Sequence, residues 1–242
     1  MTSIAGSGAK ALDAGAKVPA RRASILGGRA RIDIGRLVMV PVALLMMIFD
    51  VRAQVAAAVA AAAAGPAGPL RALSALLVCA FYALIIWCYL RRGPAVATSR
   101  SISASVIAVL ATFTPFAFPL LAGAAPGTAR QLTADVLLVA GTAWSVWSLR
   151  YLGKNLSVIA QARGVADRGP YRLVRHPLYA GEIISALGLA VAAGTVAAAA
   201  LWIAMIGMQA YRALREEQVL LDALPGYREY RARTAALVPG LF

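Results

Sequence analysis

The sequence predicts an all-α protein: a polytopic membrane helix bundle of about four N-terminal spans, followed by a C-terminal helical hairpin with a pocket at its cytoplasmic end. Three observations carry that prediction. Apolar residues make up 61% of the 242-residue chain and the mean hydropathy is +0.74, well above the roughly 45–50% apolar share of soluble domains. Apolar runs of bilayer-spanning length, about 20 residues each, recur near residues 37–64, 70–90, 102–121 and 131–149, with a longer, interrupted run over 177–211. Basic residues cluster between those runs. Of the 24 Lys and Arg, seven precede residue 37, three lie in 91–100, six in 150–175 and five in 212–233, leaving Arg52, Arg71 and Arg130.

Basic clusters alternating with apolar spans are the positive-inside pattern. It predicts cytoplasmic N- and C-termini, with the 91–100 and 150–175 segments also cytoplasmic and the turns at 65–69 and 123–130 outside. The net charge of +14 is thereby assigned to topology and to anionic lipid headgroups, and nucleic acid is not expected as a partner. Cys79 and Cys88 fall in one predicted helix about 13 Å apart along its axis and cannot bridge. The chain has no Cys-x-x-Cys, His-x-x-x-His or carboxylate cluster at ligand spacing, so no metal site is expected. The first 36 residues lack the short apolar core of a signal peptide.

Three regions follow. Residues 1–36 read as a disordered, basic cytoplasmic tail, too poor in large apolar groups to offset the entropy of ordering. Residues 37–130 hold the N-terminal transmembrane helices. The first is expected to run as one helix through Asp50 and Arg52, with these groups turned away from lipid, since the alanine run at 56–64 has high helix propensity. Gly65-Pro66 and Gly68-Pro69 should end it. The second span closes on Arg91-Arg92, and the third carries Pro115 and Pro119, which should kink it. In the fourth, Trp144 and Trp147 are expected as interfacial anchors.

Residues 131–242 hold the chemistry. After the fourth span hydrophobicity collapses over Arg150–Arg175, a segment long enough to fold over a site. Pro177 suits the first turn of a new helix, which puts His176, the chain's single histidine, at the helix start. Gly194-Thr195 interrupts the last apolar run. A through-going helix would place its final basic cluster outside, so a hairpin turning at Gly194 is expected, its first arm about 16 residues and roughly 24 Å long. Pro225-Gly226 ends the second arm. A short amphipathic piece over Tyr227–Arg231 follows, and Pro239-Gly240 stops it.

That hairpin would gather Arg175, His176, Tyr171, Tyr179, Arg212, Glu216 and Glu217 at one mouth. A helix N-terminus offers N–H groups and partial positive charge to a carboxylate, with His176 and Arg175 as further donors. A glutamate can accept from a ribose diol or face a positive centre, and tyrosine rings can pack on a base or attract a cation. S-adenosyl-L-methionine carries all of these features.

The run Gly169-Pro-Tyr-Arg-Leu-Val-Arg-His-Pro-Leu-Tyr-Ala-Gly181, with Glu216-Glu-Gln-Val-Leu-Leu and Tyr227-Arg-Glu-Tyr230 downstream, resembles the isoprenylcysteine carboxyl methyltransferases and the related phospholipid methyltransferases. The resemblance covers roughly residues 131–240. It implies that Arg163, Gly164, Val165, Ala166, Tyr171, His176, Pro177, Leu178, Tyr179 and Glu216 hold S-adenosyl-L-methionine in a cytoplasmic pocket. By the same resemblance, Arg212 faces the methyl acceptor and Arg175 stands with it among the catalytic groups. Family members often show His-x-Leu-Val where this chain has Arg163-Gly-Val-Ala166. The implied acceptor is lipophilic, a lipid or lipid-modified molecule such as a prenylated cysteine carboxylate, and membrane lipids are the other expected partners.

A second enzyme class, the steroid- and sterol-reductase-like membrane proteins that bind NADPH, also uses Arg-His-Pro-x-Tyr-x-Gly-Glu, and Glu182 suits it. Leu178 stands where those reductases usually carry Asn, and Glu216-Glu217 with the following Tyr-Arg-Glu-Tyr suits the methyltransferases better.

Overall fold

Apolar residues at almost every position make helices that must pack through small side chains and close backbone approach. The structure, a computed structural model, describes residues 33–62 and 68–238. Of the expected tail over 1–36, residues 1–32 lie outside the described residues, as do the turn residues 65–67 and the Pro239-Gly240 stop, while its last residues from Ile34 already belong to the first helix. The helices are α1 (Ile34–Ala62), α2 (Gly68–Arg91), α3 (Ile102–Phe113), α4 (Thr128–Leu152), α5 (Pro177–Ala193), α6 (Val196–Ala223) and α7 (Tyr227–Ala232). Among the described residues, four stretches are long and apolar enough to cross a membrane: Pro69–Arg91, Ile102–Leu121, Thr128–Asn155 and Val196–Ala223. Large apolar side chains such as Leu120, 84% exposed, and Val196, 87% exposed, stand on outer surfaces, where lipid rather than water meets them.

α1 passes unbroken through Asp50 and also through Pro41, as a 29-residue helix of about 43 Å. Asp50 is turned inward as expected, where the Tyr82 hydroxyl donates to its carboxylate at 2.6 Å, while Arg52 is exposed. Gly68-Pro69 opens α2 instead of closing α1, because proline's missing N–H is harmless in a first helical turn. α3 begins on Ser101, whose hydroxyl accepts from the Ala104 N–H at 3.2 Å, and it stops being α-helical at Phe113. Pro115 cannot continue the ladder, so the chain tightens into a 3-10 helix over Thr114–Leu121.

α4 and α5 pack in backbone contact. A Cβ on Gly141 would lie 2.7 Å from the Gly181 carbonyl, one on Gly181 2.8 Å from the Gly141 carbonyl, and one on Gly188 2.7 Å from the Ala134 carbonyl. The Trp144 indole N–H donates to the Pro177 carbonyl at 2.9 Å, so this expected interfacial anchor braces the start of α5. Trp147 stays partly exposed and packs edge-on against Trp144.

The hairpin turns where expected. Gly194 takes the left-handed conformation, φ 66°, which glycine adopts without steric cost. Thr195 then caps α6, accepting from the Ala198 N–H at 3.2 Å and donating to the Leu121 carbonyl at 2.9 Å. α5 has 17 residues and α6 has 28, so the first arm rises only about 25 Å.

The basic flanks meet at one end of the bundle. Arg36 donates to the Tyr89 and Arg92 carbonyls at 3.0 and 2.7 Å, satisfying carbonyls that the end of α2 leaves open. Arg92 pairs with Asp33. Strands β1 (Ala97–Thr98) and β2 (Gln161–Ala162) pair antiparallel, Ala97 opposite Ala162, and tie the 153–176 segment to the α2–α3 connection. The C-terminal segment closes the same end, its Ala235 and Ala236 carbonyls accepting from the Arg175 and His176 N–H groups at 2.8 and 3.0 Å.

Candidate functional site

A cavity of about 520 Å³ runs from that end into the bundle. Its inner walls come from α1, α2 and the 3-10 run, through residues such as Ala43, Phe49, Val78 and Pro119. At its polar end it is bounded by the 155–166 segment, the start of α5, the later turns of α6, and Tyr227 and Tyr230 of α7. The volume falls in the roughly 300–1,000 Å³ range of small-molecule sites.

His176 is the N-cap of α5, and no side chain caps that helix. Its ring is buried and stacks in parallel on Tyr179, centroids 5.5 Å apart at 3°. Its Nε2 lies 3.2 Å from Glu217 Oε1 and its Nδ1 3.9 Å from Glu216 Oε2. The two adjacent glutamates divide their work. Glu217, with a side chain 6% exposed, binds Arg175 at 2.7 Å, His176 at 3.2 Å and Arg231 at 3.0 Å, so one carboxylate joins the entry of α5 to α6 and α7. Glu216, 21% exposed, lies on the cavity wall and accepts a hydrogen bond from the Tyr179 hydroxyl.

Arg212 is buried beneath this group. Its guanidinium lies over the Tyr179 ring at 4.6 Å and donates to Gln209 Oε1 at 3.0 Å and to the Val158 carbonyl at 3.2 Å. Its Nε is buried with no hydrogen-bond partner among the described residues. Arg175 is engaged differently: besides Glu217 it donates to the Arg231 carbonyl at 3.1 Å and to the Thr234 carbonyl. Burial pushes the Tyr171 phenol well above its ordinary pKa and the Tyr230 phenol upward as well. The latter donates to the Tyr171 carbonyl at 2.7 Å.

Of the residues singled out in the sequence, Gly164, Val165, Ala166, Tyr171, Arg175, His176, Leu178, Tyr179, Arg212 and Glu216 all lie on the cavity wall. Two do not reach it. Arg163 turns to the Gly93 carbonyl at 3.1 Å and to Gln161 Oε1 at 2.7 Å, and Pro177 is buried against α4 under Trp144. Sequence reasoning missed the Asp50–Tyr82 pair on this wall and the buried Gln209 behind it, and it gave Glu182, which lines the wall, no place in the site. Glu182 accepts from Gln209 Nε2 at 2.6 Å. The helical offset from Tyr179 to Glu182, three residues, was the one signal that Glu182 shares its face. Among the described residues no group of three His, Cys, Asp or Glu side chains is placed to hold a metal ion.

Comparison with known proteins gives two findings. The family model described as phospholipid methyltransferase matches residues 129–224. The cobalt-zinc-cadmium resistance protein CzcN of Cupriavidus metallidurans is 31% identical over 103 residues, covering 41% of this chain and 44% of that protein. The chain therefore spans less than half the length of that curated relative. Residues 129–224, from the start of α4 to the end of α6, thus match the phospholipid methyltransferase family model, the family to which the Gly169–Gly181 and Glu216-Glu217 motifs pointed.

Proposed function

We propose that this chain is an integral membrane methyltransferase that uses S-adenosyl-L-methionine from the cytoplasm to methylate a lipophilic acceptor entering from the bilayer. The observation that carries the reading is one cavity whose ends differ in chemistry: charged and aromatic at the mouth, and mostly apolar, apart from the Asp50–Tyr82 pair, between α1, α2 and the 3-10 run. The polar end fits the cofactor's functional groups. The uncapped first turn of α5 and His176 offer donors to a carboxylate; Glu216 offers an acceptor for ribose hydroxyls; Tyr171 and Tyr179 offer ring faces to adenine and sulfonium. Gly164, Val165 and Ala166 bring backbone to the wall, and Leu178 adds apolar surface.

The bound cofactor would supply a methyl group activated by the positive sulfur. The chain's own part is to position and to exclude water. Glu217 and Arg175 hold His176, and Arg163 holds the 161–166 segment through the Gly93 carbonyl; these are positioning roles. Arg212 stands where the polar and apolar parts of the wall meet, toward the acceptor. A confined, dry cavity that aligns two reactants converts a bimolecular step into an effectively unimolecular one, worth up to about 7–11 kcal/mol of barrier. The family resemblance implies a lipid-embedded acceptor, the carboxylate of a prenylated cysteine or another lipid-borne group. The match at 129–224 favours the methyltransferase over the NADPH-dependent reductase.

Titration calorimetry with S-adenosylhomocysteine on the purified chain tests the assignment. His176→Ala and Glu216→Ala should each weaken binding by about tenfold or more, the equivalent of one charge-assisted hydrogen bond of about 1.5–3 kcal/mol; unchanged affinity in both would overturn it. Membranes incubated with deuterated-methyl S-adenosylmethionine should show a labelled lipid or protein by mass spectrometry.

A further inference from the structure

Glu182 has no task in the scheme above. It lies on the cavity wall, six residues after His176 on α5, which places it about 9 Å further along the helix axis. A carboxylate at membrane depth is costly unless it is paired or used. Its hydrogen-bond partner among the described residues is the fully buried amide of Gln209, with Nε2 2.6 Å from Oε2.

That amide is oriented from its other side. Arg212 Nη1 donates to Gln209 Oε1 at 3.0 Å, so the amide oxygen faces the guanidinium and the nitrogen faces the carboxylate. A donor is thus fixed against one oxygen of Glu182, which holds that oxygen as an acceptor. The other, Oε1, makes no hydrogen bond among the described residues. Arg212 is kept one amide away and is turned to Gln209, the Val158 carbonyl and the face of Tyr179. A second carboxylate, Asp50, lines the same cavity, held by Tyr82. A carboxylate acceptor arriving here would meet these two groups in a medium of low dielectric, where like charges repel strongly. A hydroxyl, amine or thiol carries no negative charge and brings a proton that must leave as the methyl arrives.

Resting on the methyltransferase reading, we propose that Glu182, positioned by Gln209 and Arg212, takes the proton from a neutral X–H nucleophile borne on a lipophilic body, and that the acceptor is not a carboxylate. In this step the lone pair of X forms the bond to the methyl carbon. The carbon–sulfur bond of the sulfonium donor breaks, leaving its electron pair on sulfur, and the X–H proton passes to Glu182 Oε1. The positive charge on sulfur and the negative charge on Glu182 are extinguished together, so the reacting groups end neutral.

The test uses the full chain in detergent, as wild type and Glu182→Gln, an isostere that can still accept from Gln209. S-adenosylhomocysteine binding is measured by calorimetry. Binding of dodecylamine, dodecanol, dodecanethiol and dodecanoate to the S-adenosylhomocysteine complex is followed by tryptophan fluorescence, and single-turnover methyl transfer to each probe is measured with S-adenosylmethionine. The expected result is that Glu182→Gln keeps S-adenosylhomocysteine affinity within about twofold but binds the preferred protic probe about tenfold or more weakly. Transfer to that probe should slow by about 100-fold or more, the usual loss of a proton acceptor. Which of amine, alcohol and thiol responds identifies X. Protic-probe binding unaffected by Glu182→Gln, or preferential transfer to dodecanoate, would overturn the proposal. A wild type that fails to bind S-adenosylhomocysteine would overturn the methyltransferase reading itself, a distinguishable result. If Glu182→Gln melts early, Gln209→Met, which keeps the carboxylate and removes its donor, should show the same split between intact cofactor binding and slowed transfer.

Discussion

Replacing Gly181 by alanine adds one carbon at the closest approach of α4 and α5, and the structure sets what that carbon costs. The new Cβ would lie 2.8 Å from the Gly141 carbonyl oxygen and 2.9 Å from the Ser145 nitrogen. Both are backbone atoms of a neighbouring helix, so neither can rotate away. Ordinary contact begins near 3.4 Å, and the two helices must therefore part by about 0.6 Å. A gap of 0.5–1 Å forfeits about a quarter to a half of the dispersion attraction of every pair it opens, and overpacking of this kind costs about 1–3 kcal/mol. In a chain of this size each kcal/mol moves the melting temperature by about 2–4 °C, so Gly181→Ala should melt about 2–12 °C below wild type. Gly207 on α6 is the matched control. Nothing lies within 4 Å of a Cβ placed there, and helix propensity favours alanine over glycine by about 0.8–1 kcal/mol. Gly207→Ala should therefore melt at or above wild type. Both variants are read by intrinsic fluorescence in mild detergent, where Trp144 and Trp202 report on the hairpin through their bonds to the Pro177 and Ile183 carbonyls. A Gly181→Ala protein that melts with wild type would refute the idea that backbone contact through glycine holds α5 in place.

Glu217→Gln should cost more stability than Glu216→Gln. The first leaves Arg175 buried without its counter-charge and His176 without its carboxylate partner, a loss of about 3–5 kcal/mol, whereas the second removes a partly exposed acceptor; equal melting temperatures would contradict this division. The Asp33 carboxyl, hydrogen-bonded by Arg92, is held below its ordinary pKa. Its folded-state pKa is depressed, so the stability it adds is present above the unfolded carboxylate value of about 3.9 and is lost as pH falls through the folded value. The gap in melting temperature between wild type and Asp33→Asn should accordingly be full at pH 6 and close at the acid end of a pH series; a gap independent of pH would refute the pairing.

Much of the architecture was legible because membrane folding depends on signals that are local in sequence. Apolar length gave the spans near 70–90, 102–121 and 131–149, and charge placement put the basic flanks at 91–100, 150–175 and 212–233 at one end. Pro177 and Gly194 marked the two ends of α5 through backbone chemistry that needs no tertiary context. Pairings across distance were not legible. Glu216 and Glu217 are adjacent, and only the packing of α5 against α6 decides that Glu216 meets the cavity while Glu217 is locked among cations. Gln209 reads as an ordinary polar residue in an apolar helix until Glu182, 27 residues earlier, is seen opposite it. The family resemblance implies a cofactor contact for Arg163, and nothing in the sequence shows that its guanidinium lies against the Gly93 carbonyl and Gln161. Trp144 was read by depth alone, and the carbonyl it bonds belongs to a helix 33 residues away.

The cavity is also divided along the sequence. Its polar end is built mostly by residues inside the matched region 129–224, whereas α1, α2 and the 3-10 run, which shape the apolar end, lie before it. Substitutions at Ala43, Phe49 or Val78 reshape the space offered to a guest without touching His176, Glu216 or Glu217. Variation in α1, α2 and the 3-10 run can therefore change the shape of the apolar end while the charged groups of the hairpin keep their partners.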